Sequence, residues 1–500
     1  MQQFEFKTSM KKYNLIIVFL FLNLFSLNAQ NRREVLNLGR VLELARKQSS
    51  DALVAKNQFL TSYWQYRTFK AGLLPQLKLD ATLPSFNRSI SKITLPDGSE
   101  VYQSQKSASF SGDLSLTQKI GITGGEIFMN STLERLDIYR DSTISSYLSS
   151  PFTIGLRQPI FGYNQYRWQR KIEPIRYKEA KQRYLESMED LSSKAVNMFF
   201  DLLYAQIRLR IAEVNQANND TLYKIAQGRY NLGKIAENEL LQLELALLNS
   251  NLQVEQSKND LDINLFKLKS FLGIKETIDF DLILPQKPVN MKVESSDALA
   301  YAKNNRSDAL SYERKLLEAK SSVNQAKAES RFSANLYALY GLTQSSPELA
   351  SVYKNAQDRQ QLVFGVQIPL VDWGLGKAKV KVAESNQEVI QNQVAQEKTD
   401  FEQEVLIKVL QYKMQENQLM IASKADTIGA KRFEVTKARY LIGKIGITDF
   451  NIAVSEKDQA KQDYIQALRN YWLKYFEIRR LTLFDFLDQK QLDVNEKELN

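Results

Sequence analysis

The chain contains one long unit twice. Arg229-Tyr230-Asn231-Leu232-Gly233-Lys234-Ile235 returns as Arg439-Tyr440-Leu441-Ile442-Gly443-Lys444-Ile445, 210 residues on. Pro159, in Arg157-Gln158-Pro159-Ile160, returns at the same offset as Pro369 in Gln367-Ile368-Pro369-Leu370. Ser50-Asp51-Ala52-Leu53 reappears as Ser307-Asp308-Ala309-Leu310, now 257 residues on. The change of offset places an extra stretch of roughly 47 residues between Leu53 and Pro159. Duplication of a long unit makes each copy an equivalent part of one quasi-symmetric object. Two interlocked halves, residues 30–285 and 286–487, therefore replace the two or three globular domains that the length alone would suggest.

Two stretches, 175–284 and 370–500, are free of proline, poor in glycine and rich in the helix formers Ala, Leu, Gln, Glu and Lys. In the first, Leu240, Leu247, Val254, Leu261 and Leu268 recur every seven residues; in the second, Ala453, Ala460 and Ala467 do the same. Sustained sevenfold spacing predicts long helices packed as in a coiled coil. Each stretch breaks once, at the Arg-Tyr-x-x-Gly-Lys-Ile element, so each reads as a helical hairpin with Gly233 or Gly443 at its tip. An arm from Ile175 to Gly228 would run ~80 Å, too long for a globular core. A further helix opens each half, over about 38–72 and about 296–331.

Between opening helix and hairpin the period changes from 3.6 to 2. Ala108, Phe110, Gly112, Leu114 and Leu116 alternate with Ser109, Ser111, Asp113, Ser115 and Thr117. Phe152, Ile154 and Leu156 alternate with polar or small neighbours, as do Leu362, Phe364, Val366 and Ile368. Weaker alternation covers 77–83, 127–133 and 336–342. These are strands with one apolar and one polar face. The helices are committed to one another, so nothing in the chain remains to cover the apolar face, and strands of about eight to eleven residues suit a tilted membrane crossing. Four to six strands cannot enclose a water-filled barrel alone, but a barrel shared between copies can. Gly121, Gly124 and Gly125, and Pro96-Asp97-Gly98, read as turns.

Lys7, Lys11 and Lys12 precede an apolar run from Leu15 to Phe25, and Ala29 precedes Gln30. This reads as a secretory signal peptide over 1–29, although Leu27 is larger than the cleavage pattern favours. A membrane anchor is the competing reading, but about eleven residues fall short of a ~30 Å hydrocarbon core. From Leu487 the chain turns polar, and 488–500 read as a frayed or disordered tail. The chain has no cysteine and no histidine. Disulfides, thiolate metal sites and an N-terminal lipidated Cys are excluded, and zinc hydrolase and Ser-His-Asp chemistry lose their usual participants. The net charge of +10 comes from interspersed rather than blocked charges, the pattern of solvated helix faces. Nucleic acid is not an expected partner for an exported chain.

These features together resemble the TolC family of bacterial outer-membrane efflux proteins, over nearly the whole mature chain. The duplicated unit, the strand ends at Pro159 and Pro369, the Arg-Tyr-x-x-Gly tips and Leu73-Leu74-Pro75-Gln76-Leu77, a helix running into a strand, carry the resemblance. It implies a mainly α fold with a β-barrel part: long helical hairpins forming a periplasmic α-barrel, and a twelve-stranded transmembrane β-barrel shared in a homotrimer. It also implies an outer-membrane location reaching into the periplasm, contact with outer-membrane lipid, and two partners, a periplasmic adaptor and an inner-membrane pump. Two departures stand out. The first half holds an added alternating pair around Phe110–Leu133, and the second half lacks the usual proline near Ser333.

In the family the periplasmic end closes by a network just beyond the tips. Residue by residue, its acidic positions fall on Glu239 and Asp449 and its tyrosine on Tyr440. A second acidic position falls on Ile452 and an arginine on Ile445, so the resemblance implies a gate held more by apolar packing than by charge, with Lys444 one residue away. The competing reading of Glu239 and Asp449 is helix capping, since acid is favoured in a first helical turn. Around the tips, Gly233, Lys234, Ile235, Gly443, Lys444 and Ile445 are the residues expected to dock an adaptor; for the two glycines, plain helix-ending geometry is the competing reading.

The function read from this is a passive outer-membrane exit duct of a tripartite efflux or type I secretion system. No phosphate-binding Gly-x-x-x-x-Gly-Lys loop is expected to supply energy within the chain, and no catalytic residue, metal or cofactor is expected. The alternative is a secreted coiled-coil structural or adaptor protein with a small soluble β domain. Detergent dependence separates the two.

Overall fold

The computed structural model describes residues 33–140, 142–275, 278–287 and 291–494. The expected signal peptide and the last six residues of the expected tail lie outside the described residues. In chain order the elements are β1 (Arg33–Leu36), α1 (Leu38–Gln48), α2 (Ser50–Ala71), β2 (Gln76–Thr94), β3 (Glu100–Lys119), β4 (Glu126–Tyr139), β5 (Thr143–Ile160), α3 (Gln165–Asn231) and α4 (Glu237–Leu272). There follow β6 (Asp279–Leu282), α5 (Ser295–Asn305), α6 (Ser307–Glu329), β7 (Ser333–Ser346), β8 (Gln357–Gln367), α7 (Leu375–Leu441), α8 (Ile447–Thr482), β9 (Phe484–Asp485) and β10 (Lys490–Gln491).

The sequence offsets reappear as architecture. α3 and α7 have 67 residues each, and α4 and α8 have 36 each. Each expected opening helix is instead two. α1 stops at Ser49, whose extended backbone (φ −66°, ψ 150°) turns the chain and whose Oγ accepts from the Ala52 amide at 3.1 Å, capping α2. Arg306 (φ −78°, ψ 152°) makes the corresponding break before α6. The repeated Ser-Asp-Ala-Leu is thus a helix start. α3 begins ten residues before the proline-free stretch and runs through Pro174, giving up one backbone bond there.

The chain forms two compact units, each drawn from both halves. One, the described residues of 58–184 and 303–403, carries a six-stranded antiparallel sheet in the order β2-β3-β4-β5-β7-β8. The added pair around Phe110–Leu133 joins this sheet, which therefore has six strands where a twelve-stranded trimeric barrel needs four per copy. The strands, of 11 to 20 residues, are longer than expected. Register turns the period of two into two faces. Leu77 lies opposite Leu116, then Met129, Ile154 and Tyr340 in successive strands. The neighbouring row, Lys78, Ser115, Asn130, Thr153, Gly341 and Arg359, points to the other side. The apolar face is open, with Leu77 69% and Leu362 76% exposed, and a patch of this extent marks a lipid or protein contact.

The other unit holds the described residues of 33–57, 185–302 and 404–494. Leu191, Ala195, Phe199 and Leu202 line the buried side of α3 at helical spacing. The heptad residues Leu240 to Leu268 of α4 are all buried or half-buried. The polar end of the chain is folded rather than frayed as far as Val494. β9 and β10 pair, and Asp485 accepts from Tyr475 Oη at 3.0 Å and from Arg479 at 2.7 Å. Arg479 and Arg46 both meet Glu189, at 3.0 and 2.8 Å. No described helix is long and apolar enough to cross a membrane.

Candidate functional site

The two tips are built alike. At the end of α3, the Gly233 amide donates to the Tyr230 carbonyl at 2.8 Å and the Lys234 amide to the Arg229 carbonyl at 2.9 Å. At the end of α7, Gly443 bonds Tyr440 and Lys444 bonds Arg439, both at 2.9 Å. This pair of bonds satisfies carbonyls that a helix end leaves open, and it requires a left-handed residue. Gly233 and Gly443 supply it, with φ of +69° and +75°. Nothing lies within 4 Å of where a Cβ would sit on either. Backbone conformation, not crowding, selects glycine there.

α4 and α8 start without a side-chain cap, at Ala236 and Gly446. Glu239 and Asp449 occupy equivalent places in the first turns, both exposed, where the exposed amides favour negative charge. Beneath them lies an apolar cluster to which all four long helices contribute: Leu222 and Ala226 from α3, Leu243 from α4, Phe433 from α7, and Ile447 and Phe450 from α8. Ile235 and Tyr440 pack against it. The Tyr440 ring stacks on Phe450 at 5.2 Å, and Phe433 lies 6.0 Å from Phe450 on another side. Burial raises the pKa of the Tyr440 phenol; Arg229 works against the shift and Glu239 adds to it. Arg229, Glu239 and Tyr440 thus share one neighbourhood, and Arg229 Nη2 reaches the Leu441 carbonyl at 3.4 Å, joining one tip to the other.

Residues 129–274 match the model of the outer membrane efflux protein family. That match lies within the first half of the chain and agrees with the resemblance read from the repeat. Its fold is that of the Campylobacter jejuni CmeC outer membrane channel, with a TM-score of 0.64 at 18% identity over 92% of this chain and 88% of that one. The Vibrio cholerae outer membrane protein VceC (TM-score 0.62, 11% identity, 89% and 95% covered) and the Neisseria gonorrhoeae MtrE outer membrane channel (0.60, 15%, 89% and 88%) are similar. An uncharacterized Haemophilus influenzae protein is 27% identical over 128 residues, which span 24% of this chain and 28% of that relative.

The fold is the one these outer-membrane channels share. Within it, the structure brings Tyr440 and Ile235 onto the apolar cluster and leaves Lys234, Lys444, Glu239 and Asp449 exposed, with Ile445 half-buried. Ile452 is 45% exposed. Gly228 and Gly233-Lys234 have the spacing of a phosphate loop, but Gly228 lies inside α3 and Ile235 stands where Ser or Thr is needed. Sequence reading missed Phe433, Phe450 and the bridging role of Arg229. Arg229 was legible as the first residue of a repeated motif. Further along the bundle, Asn215 donates to Asp458 at 2.7 Å beside a polar hollow of about 380 Å³ between α3, α4 and α8.

Proposed function

We propose that three copies form a passive exit duct, opened by a periplasmic adaptor and driven by an inner-membrane pump, in efflux or type I secretion. The observation that carries this reading is a second leucine stripe on α4. Leu241, Leu245, Leu248 and Leu252 follow helical spacing and are 55%, 59%, 59% and 58% exposed. An apolar stripe beside the buried heptad needs a further helix to cover it, and a second copy supplies one.

In a trimer, three copies of Glu239 and of Asp449 surround one opening, with Tyr440 and the apolar cluster closing it. Crowded carboxylates repel one another, and a carboxylate ring attracts cations. The tip loops, Gly233-Lys234-Ile235 and Gly443-Lys444-Ile445, are the adaptor-docking surface. Purified mature protein is expected to need detergent and to run as a trimer; a monodisperse monomer soluble without detergent overturns the reading. In planar bilayers the closed duct should conduct poorly, prefer cations and be blocked by divalent ions. The Glu239→Ala/Asp449→Ala double variant should lose that preference and block. If it keeps both, these residues are helix caps and the constriction lies elsewhere.

A further inference from the structure

We infer that this protein closes a barrel of eighteen strands, six from each copy, through a seam between β2 of one copy and β8 of the next. The inference rests on the trimeric reading above and concerns how wide the duct is where it meets the outer membrane.

Direction permits the seam. In an antiparallel sheet of six strands the two edge strands run opposite ways. Rotation about the barrel axis therefore sets β8 of one copy antiparallel to β2 of its neighbour, and the ring closes head to tail. Exposure marks it. The apolar row is most open at its two ends: Leu77 and Leu79 on β2 are 69% and 68% exposed and Leu362 and Phe364 on β8 are 76% and 61%, against 38% for Met129 and Ile154 between them. Edges this long with unpaired backbone are sites of strand addition.

The added hairpin is built into the wall. β3 pairs with β4 continuously from Ser107–Ile138 to Lys119–Glu126. Its turn is held to the start of α3 by Asn164, whose Nδ2 donates to the carbonyls of Gly121 at 3.3 Å and Ile122 at 2.8 Å while Oδ1 accepts from the Arg167 amide at 3.0 Å. Gln118 Nε2 also donates to the Leu73 carbonyl beyond α2, at 2.9 Å. A flap outside a four-stranded contribution would have to break these bonds. The apolar row crosses β3 and β4 without a step, so all six strands fit one lipid-facing surface.

Barrel diameter grows about linearly with strand number, so eighteen strands make a lumen about half as wide again as twelve, in the range that holds an open aqueous channel. The barrel then passes any solute the helix tips admit, and size selection lies at the tips alone.

The chain has no cysteine, so introduced pairs report without background. Leu79→Cys is combined in turn with Leu362→Cys, Phe364→Cys and Val366→Cys, and Met129→Cys with the same three, in outer membranes treated with a membrane-permeant oxidant. A disulfide needs Cα atoms within about 7 Å. Covalent trimers from the Leu79 series and none from the Met129 series are expected. Covalent trimers from the Met129 series would mean that β4 is the edge and each copy gives four strands, which overturns the inference while leaving the trimer intact. Native mass measurement of a trimer with neither series cross-linked also overturns it. A monomer by native mass would instead remove the trimeric reading, and this inference with it. End-on electron-microscope averages of the unmodified protein give an independent width: a barrel matching twelve strands rejects the seam.

Discussion

The two halves agree in the length of their long helices and disagree by a whole hairpin in their sheet strands. α3–α4 and α7–α8 match at 67 and 36 residues, while the first half gives four strands to the six-stranded sheet and the second gives two. The difference follows from what each region must satisfy. A helix arm with apolar residues along its length needs a partner along that length, and both tips feed one apolar cluster, so neither hairpin can change alone. A sheet gains two strands at no such cost: a pair keeps the alternation of direction, and the next helix starts where it would have started. A single added strand would send α3 the wrong way.

Lengthening one hairpin should break the match most severely. Seven residues inserted in each arm of α3–α4 alone move that tip by ~10 Å and separate Leu222, Ala226 and Leu243 from Phe433, Ile447 and Phe450. Export in a cell assay should be abolished. Removing residues 100–142, by contrast, should leave a protein that still inserts and trimerises.

Next in size is the cluster itself. Phe450 is 2% exposed, whereas Leu240, its counterpart at the offset of 210, is half-buried. Phe450→Ala should cost about 3–5 kcal/mol and raise the resting conductance; Leu240→Ala should cost markedly less. Chemical denaturation of the two variants compares them. Equal losses would mean that the halves share the closing contacts evenly.

The glycines sharpen the comparison from the other side. Gly233→Val and Gly443→Val each force a β-branched residue to positive φ, at about 1–3 kcal/mol, and the two shifts in thermal midpoint should agree because the φ values do. The double variant should weaken adaptor binding in pull-down while membrane insertion persists. The smallest effect is expected at Glu477. Burial pushes its pKa up, but hydrogen-bonded ion pairs with Lys408 at 2.5 Å and Lys474 at 2.7 Å outweigh that and hold it below the usual 4.5. Since the folded value is the lower one, the stability is present above about pH 4.5 and lost as pH falls below it. Melting from pH 7 to pH 3 should show that loss in the wild type and less of it in Glu477→Gln. Its counterpart in the first half is Lys267, so the dependence belongs to one half only.

The hairpins were legible because the tip motif is local: each of its bonds spans three or five residues. The faces of the sheet were legible where alternation is clean, as at Leu114 and Leu116, and not over 85–94, where Ser, Asn, Arg and Lys fall on both sides. The helix breaks at Ser49 and Arg306 are not legible even though Ser-Asp recurs beside them, because the helical period runs through both. Of the candidate site, the glycines and Tyr440 could be placed from the repeat, but their neighbours Phe433 and Phe450 could not, since packing joins distant helices. The folded end was hidden by its polarity. Asp485 looks like a solvated tail residue until Tyr475 and Arg479 are seen to meet it.

That last contact decides when the molecule can be finished. Glu189 sits 3% exposed between Arg46 of α1 and Arg479 of α8, and Arg479 is in turn paired with Asp485 beyond the helix. An incomplete chain therefore holds a carboxylate with half its counter-charge, and one that stops short of Asp485 holds an arginine facing the wrong balance. The short segment after α8 acts as the fastener: the helices can pack without it, but the belt of charge around Glu189 closes only when Asp485 is in place.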